Sequence, residues 1–286
     1  MIVTLGLGIL PGVSLLSGAL LALVELIRGP LQAFLVGAIA SVLLAILGLL
    51  ANHNPWAALI QPLGGPLLGI WIPVLLLAFV LRWSRSLSLT LTVASLAGLL
   101  VVVGQMLLVA HPIEFWNHLL SQVLAQLPIM HGNKAKYWQE AIAHMARLMP
   151  GMSVAGGIFG VMVMLMLGRY AQARLIRPGA FGEEFRRLSL GYSVTIIASL
   201  LLVVRLVYPS LMFQNLAIVI LAMFTFQGLA VIHALFKARA WPGYGLVILY
   251  VLIVLFPLWL LGVVSAAGLV DNWFDFRNLR QKAPKA

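Results

Sequence analysis

His111, Glu114 and His118 follow one another at spacings of three and four. That puts two imidazoles and a carboxylate on one face of a helix, from which metal ligands can be presented. Glu140 and His144, four apart, repeat the pattern. A solvated polar face accounts for the same residues, so the triad is a candidate metal cluster and nothing more specific. Hydrolytic chemistry has less support. Ser153, Ser193 and Ser199 have no local base, and neither GxSxG nor HExxH occurs. The Ala155–Gly160 and Gly64–Pro66 stretches are not followed by GK[ST], so they read as close-packing surfaces rather than nucleotide loops. The chain has no cysteine, which removes thiolate nucleophiles and Cys-ligated metals. The expectation is a protein that is not an enzyme and holds no cofactor.

Neutral polar residues inside apolar stretches offer different chemistry. Gln105, Asn215 and Gln227 can line a solute cavity or bond between helices. His233 reads as a capped or interhelical imidazole. Glu25 lies three residues before Arg28 and reads as an interfacial i,i+3 pair. Arg205, one turn before Pro209, reads as a cation reaching the outer headgroups.

The elements that carry these residues follow from composition. With 63% hydrophobic and 9% charged residues over 286 positions, too little polar surface exists to cover a soluble globule. Apolar segments run at about 3–27, 31–51, 56–81, 87–110, 150–168, 188–208, 211–235 and 243–270, several at the length of a bilayer-crossing helix. The fold class is all-α: one polytopic membrane domain over 1–286, with about eight segments. Pro11-Gly12, Pro62–Pro66 and Pro257 mark breaks that make some of them kinked or re-entrant. Most of the tryptophans, Trp71 among them, lie near segment ends, as interfacial anchors do.

The connection over 111–149 carries two apolar stripes at helical spacing. One runs Trp116, Leu119, Leu120, Val123, Leu124 and Leu127; the other Trp138, Ala141, Ile142, Met145 and Met149. They predict two amphipathic helices around a Pro128–Asn133 turn, lying on the membrane or covering the bundle. With eight spans, the odd connections hold ten cations: Arg28, Arg82, Arg85, Arg169, Arg174, Arg177, Arg186, Arg187, Lys237 and Arg239. The other side holds seven: Lys134, Lys136, Arg147, Arg277, Arg280, Lys282 and Lys285. The basic loop 169–187 therefore faces the cytoplasm and the 111–149 connection faces outward. A hairpin broken at Pro257 would return the polar tail, 271–286, to the inside. The net charge of +11 suits anionic membrane lipids, and nucleic acid is not an expected partner.

The loop run RYAQARLIRPGAFGEEFRRLSL resembles a connection in the YybS-like family of bacterial polytopic inner-membrane proteins. SLLSGALLALVELIRG at Ser14–Gly29, LMPG at Leu148–Gly151, FQGLAVIHA at Phe226–Ala234 and GLVDNWFDFR at Gly268–Arg277 agree with it in order. The resemblance implies a helical arrangement similar to the substrate-capture subunits of energy-coupling-factor transporters. The functional expectation is a non-catalytic, transport-related subunit of the bacterial inner membrane that binds a small solute beneath the outer helices. The alternative is a membrane scaffold that docks other membrane or cytoplasmic subunits through Arg169, Arg177, Pro178, Gly179, Phe181, Glu183, Glu184, Phe185, Arg186 and Arg187.

Overall fold

Proline and glycine punctuate the chain, and the helices fall between them. The computed structural model describes residues 11–51, 68–125 and 135–277. Its α-helices are α1 (Pro11–Arg28), α2 (Pro30–Ala51), α3 (Ile72–Ser84), α4 (Leu87–Leu108), α5 (Pro112–Leu124), α6 (Ala135–Ile176), α7 (Ala180–Arg186), α8 (Gly191–Val207), α9 (Leu211–Ala238), α10 (Tyr244–Leu255) and α11 (Pro257–Phe274). Proline is the first residue of α1, α2, α5 and α11, where its missing N–H costs nothing. No strand occurs among the described residues, so the protein is all-helical.

Among the described residues α2, α4, α6, α9 and α11 are long and apolar enough to cross a membrane. A sixth span results if α7 and α8, bent by 46° at their break, count as one. The protein is thus multi-pass. The eight expected segments resolve unevenly. The last is cut at Pro257 into α10, of only 12 residues, and α11, while Pro62–Pro66 and the Pro128–Asn133 turn lie outside the described residues. The second expected amphipathic helix is not a separate element. Its stripe runs straight through Pro150 into the next apolar segment as the 42-residue α6.

The chain divides into two compact units, Met1–Ala94 with Gly157–Leu188, and Ser95–Gly156 with Ser189–Ala286. In the first, α1 packs against α2 and α3, and Gly29 at φ 111° makes the tight turn from α1 into α2, a conformation glycine adopts without strain. The carboxy-terminal half of α6 crosses α1 closely. A Cβ on Gly168 would lie 2.8 Å from the Ala19 carbonyl oxygen and 2.8 Å from the Ala22 methyl. Trp71, expected at an interface, is instead 5% exposed and donates Nε1 to Ser17 Oγ at 3.2 Å.

In the second unit α9 is the central element, packed along α11 with Ile220, Met223, Phe224 and Gln227 fully buried. Two glycines let these helices touch backbone to backbone. A side chain on Gly228 would strike the Val264 carbonyl, and one on Gly268 would strike the Phe224 carbonyl. Such small-residue contacts substitute for the hydrophobic drive that lipid removes. α5 has no buried residue: Leu119 is 38% and Val123 60% exposed. Its apolar stripe is therefore only partly covered by the described parts of this chain, with Trp116, Leu120 and Leu124 half-buried.

Candidate functional site

Each polar residue singled out by sequence can be followed to its partners. His111 Nδ1 lies 3.8 Å from Glu114 Oε1 on the exposed face of α5. His118 does not join them closely enough, and no group of three His, Asp or Glu side chains among the described residues could hold a metal ion. One helical turn brings i and i+3 together, but α5 has no second helix supplying a converging ligand.

Asn215 is fully buried and used up by the protein. Its Oδ1 accepts the Gly151 N–H at 2.6 Å, while Nδ2 donates to the carbonyls of Arg147 at 3.0 Å and Leu211 at 2.8 Å. Gly151 N–H and Arg147 C=O are the i→i−4 partners of an ordinary helix. Here a side chain from α9 serves both beside Pro150, which explains how α6 continues through a proline.

Gln227 is equally committed. Its Oε1 accepts the Leu190 N–H at 2.9 Å, and its Nε2 donates to Asn272 Oδ1 at 2.8 Å. Asn272 donates in turn to Thr195 Oγ1 and accepts from Ser189 Oγ. Asp271, 2% exposed, is held by Arg277 at 2.6 Å. Three stretches far apart in sequence thus meet in one buried network: the end of the basic loop, FQGLAVIHA and GLVDNWFDFR. Gln105 is half-buried, and its Oε1 has no partner among the described residues. His233 bonds the Leu229 carbonyl with Nδ1 at 2.8 Å, as a capped imidazole does.

The basic loop folds as a compact element. Pro178 and Gly179, the latter at φ 91°, turn the chain from α6 into α7. Tyr170, Phe181 and Phe185 form a ladder with ring centroids 5.9 Å apart at each step. The two glutamates differ. Glu184 bonds Arg169 at 2.9 Å with both side chains mostly buried, whereas Glu183 and Arg177 are 3.8 Å apart and exposed. Arg186 and Arg187 lie at the end of α7.

From Arg169 a relay runs inward. Arg169 Nη1 donates to Gln172 Oε1 at 2.5 Å, Gln172 Nε2 donates to the Leu26 carbonyl at 3.0 Å, and Arg82 Nη1 donates to the carbonyls of Glu25 at 2.7 Å and Leu26 at 3.1 Å. The last-turn carbonyls of α1 thus receive one cation, Arg82 from α3, and one amide, Gln172 from α6. Glu25 itself is 1% exposed with Oε2 unpartnered among the described residues, while Arg28 is exposed. The expected interfacial pair between them is not formed, because Glu25 faces α3 and its neighbours rather than the surface.

A cavity of about 400 Å³ opens beside this relay, lined by Leu26, Ile27, Leu81, Arg82, Arg85, Arg169, Gln172 and Glu184. Sequence reasoning had placed these arginines on one side of the membrane but had not brought them to one cleft. Arg169 and Gln172, three apart in the RYAQ run, were the available signal. Three guanidiniums against one carboxylate in the lining give the cleft a local excess of positive charge suited to an anion.

No curated protein and no solved structure matches the chain. Residues 1–272 match the family described as "Predicted membrane protein (DUF2232)", and with nearly the whole length covered, the chain belongs to that family.

Proposed function

We propose that the chain is a non-catalytic subunit of a transport system in the bacterial cytoplasmic membrane, and that it takes a small anionic solute into the Arg82–Arg85–Arg169 cleft. One observation carries this reading. Arg82 and Arg169 are committed to protein partners, whereas Arg85 lines the same cleft with its backbone N–H on the Leu81 carbonyl and its guanidinium in no hydrogen bond or ion pair with a described residue. A cation facing a cavity without a counter-ion is a binding group in waiting. Asn215 and Gln227 have their hydrogen-bonding capacity filled by the protein, so the solute site moves from beneath the outer helices to this basic end. The cations gathered in the adjoining 169–187 loop support a cytoplasmic position for it. The absence of a phosphate loop puts any ATPase on another subunit.

Calorimetric titration of the full-length protein in detergent with phosphate, sulfate and succinate at low salt tests the reading. Saturable binding that weakens with salt and falls at least tenfold in Arg85→Gln is expected. No binding of any of the three overturns it.

A second reading, a scaffold docking through the loop, has its own observation. Leu175 and Ile176 are 71% and 68% exposed next to the open Arg177–Glu183 pair, an apolar and charged surface suited to a protein partner. A photo-crosslinking residue at Ile176 that captures one defined membrane protein, and loses it in Glu183→Arg, would favour this reading.

A further inference from the structure

Two carboxylates, Glu25 and Asp271, are buried at 1% and 2% exposure, and they keep different company. Asp271 has Arg277 at 2.6 Å. Glu25 has neither a hydrogen bond nor an ion pair from its carboxylate to any described residue. The Arg82 guanidinium lies close by, yet its Nη1 is on the carbonyl oxygens of Glu25 and Leu26, at 2.7 and 3.1 Å, rather than on the carboxylate. Three features disfavour a charge on Glu25. It is out of water, it accepts no hydrogen bond, and it sits in the last turn of α1, at the negative end of the helix dipole. Arg82 acts the other way. A carboxyl balanced between these influences holds or releases a proton according to the charge around it, and that charge changes in the cleft, which both Leu26 and Arg82 line.

We infer that Glu25 is a proton site coupled to the cleft, so that an anion entering beside Arg82 and Arg85 is taken up together with a proton. This rests on the anion-binding reading above and adds the ion that accompanies the solute. While the cleft is empty, the charge of Arg82 supports an ionised Glu25. An anion offsets that charge and repels the carboxylate, and one proton from solution then binds Glu25 with no bond made to the anion. The effect acts through the field over a short distance in a poor dielectric, so the buried carboxyl does not have to touch the anion. By linkage the proton strengthens anion binding by the same factor as the anion strengthens proton binding. Affinity is therefore highest at low pH and falls as Glu25 loses its proton. A buried ionisable group in a membrane protein is where such coupling is sited.

Few other groups near Glu25 carry charge. α2, packed on α1, has no ionisable residue; α3 brings Arg82, followed by Arg85; the carboxy-terminal half of α6 brings Arg169, Tyr170 and Arg174; and Arg28 on α1 itself is exposed. None of these stretches carries a histidine. Glu184 of α7 is the other carboxylate at the cleft, held by Arg169 at 2.9 Å.

The experiment is calorimetric titration of the full-length protein in detergent at low salt with sulfate, whose own charge is constant between about pH 6 and about pH 8.5, a range that spans the titration of buried carboxyls. Binding at least about fivefold tighter at the lower pH is expected. Runs in two buffers of different ionisation enthalpy should show net proton uptake per sulfate bound. Glu25→Gln, which keeps the shape of the neutral acid, should melt like the parent, bind sulfate equally at both pH values and take up no proton. Binding by the parent that is independent of pH and takes up no proton overturns the inference without recourse to the variant. PH dependence that survives in Glu25→Gln overturns it as well and moves the proton to another group, Glu184 first. Failure of sulfate to bind at either pH also overturns it; if phosphate and succinate fail too, the broader reading fails with it.

Discussion

Asn215 satisfies both the Gly151 N–H and the Arg147 carbonyl, the two groups that pair with each other in an ordinary helix. The Gly151 N–H points to Asn215 Oδ1 at 2.6 Å, and the Arg147 carbonyl that should have received it takes Asn215 Nδ2. Asn215→Ala leaves both backbone groups unpaired in a buried place. At about 1 to 3 kcal/mol for each orphaned group, a loss of about 2 to 6 kcal/mol is expected, read as a large fall in melting temperature in detergent. An unchanged melting curve would show that α6 passes Pro150 without help from α9.

The α9–α11 contact depends on the absence of two side chains. Gly228→Ala would place a methyl on the Val264 carbonyl, with no flexible side chain there to give way. A destabilisation at the upper end of the about 1 to 3 kcal/mol for overpacking is expected. Gly156→Ala, whose added methyl meets nothing within 4 Å, serves as the control and should melt like the parent.

Asp271 tests the buried network differently. Arg277→Ala removes the partner of a carboxylate that is 2% exposed, and breaking a buried pair from one side costs about 3 to 5 kcal/mol. Adding Asp271→Asn to that variant removes the stranded charge and should recover much of the loss. If the double variant is no more stable than Arg277→Ala, the pair is not what holds α11 against its neighbours.

Sequence pattern carried the helical class and the multi-pass character, because composition and the length of the apolar segments determine those directly. Long-range pairing was not legible. Gln227 and Asn272 are 45 residues apart, and whether an amide in an apolar helix faces a cavity or another helix depends on which helix lies opposite. Glu25 was misread for the same reason. Three residues from Arg28, it satisfied a local rule, but the turn at Gly29 and the approach of α3 bury it. The apolar segment expected from 150 begins instead at Ala135 within α6, and Asn215, which bonds the backbone beside Pro150, lies 65 positions later in the chain.

The two glutamates of α7 separate structure from surface. Glu184→Arg should destabilise the protein by disrupting the Arg169 contact, and the swap Arg169→Glu with Glu184→Arg should restore part of it. Glu183→Arg should change stability little, since exposed pairs are worth about 0 to 1 kcal/mol. Equal melting of all three variants would mean that α7 is not tied to α6 through this pair.

The central claim is that the end of α3 and the end of α6 with α7 form one basic face on the cytoplasmic side. Cysteine-accessibility labelling tests it most directly, because the chain has no cysteine of its own. Arg85→Cys and Arg177→Cys, both at exposed positions, should resist a membrane-impermeant thiol reagent in intact cells and react together once the membrane is opened. Labelling of one in intact cells while the other stays protected would place them on opposite sides and contradict the account.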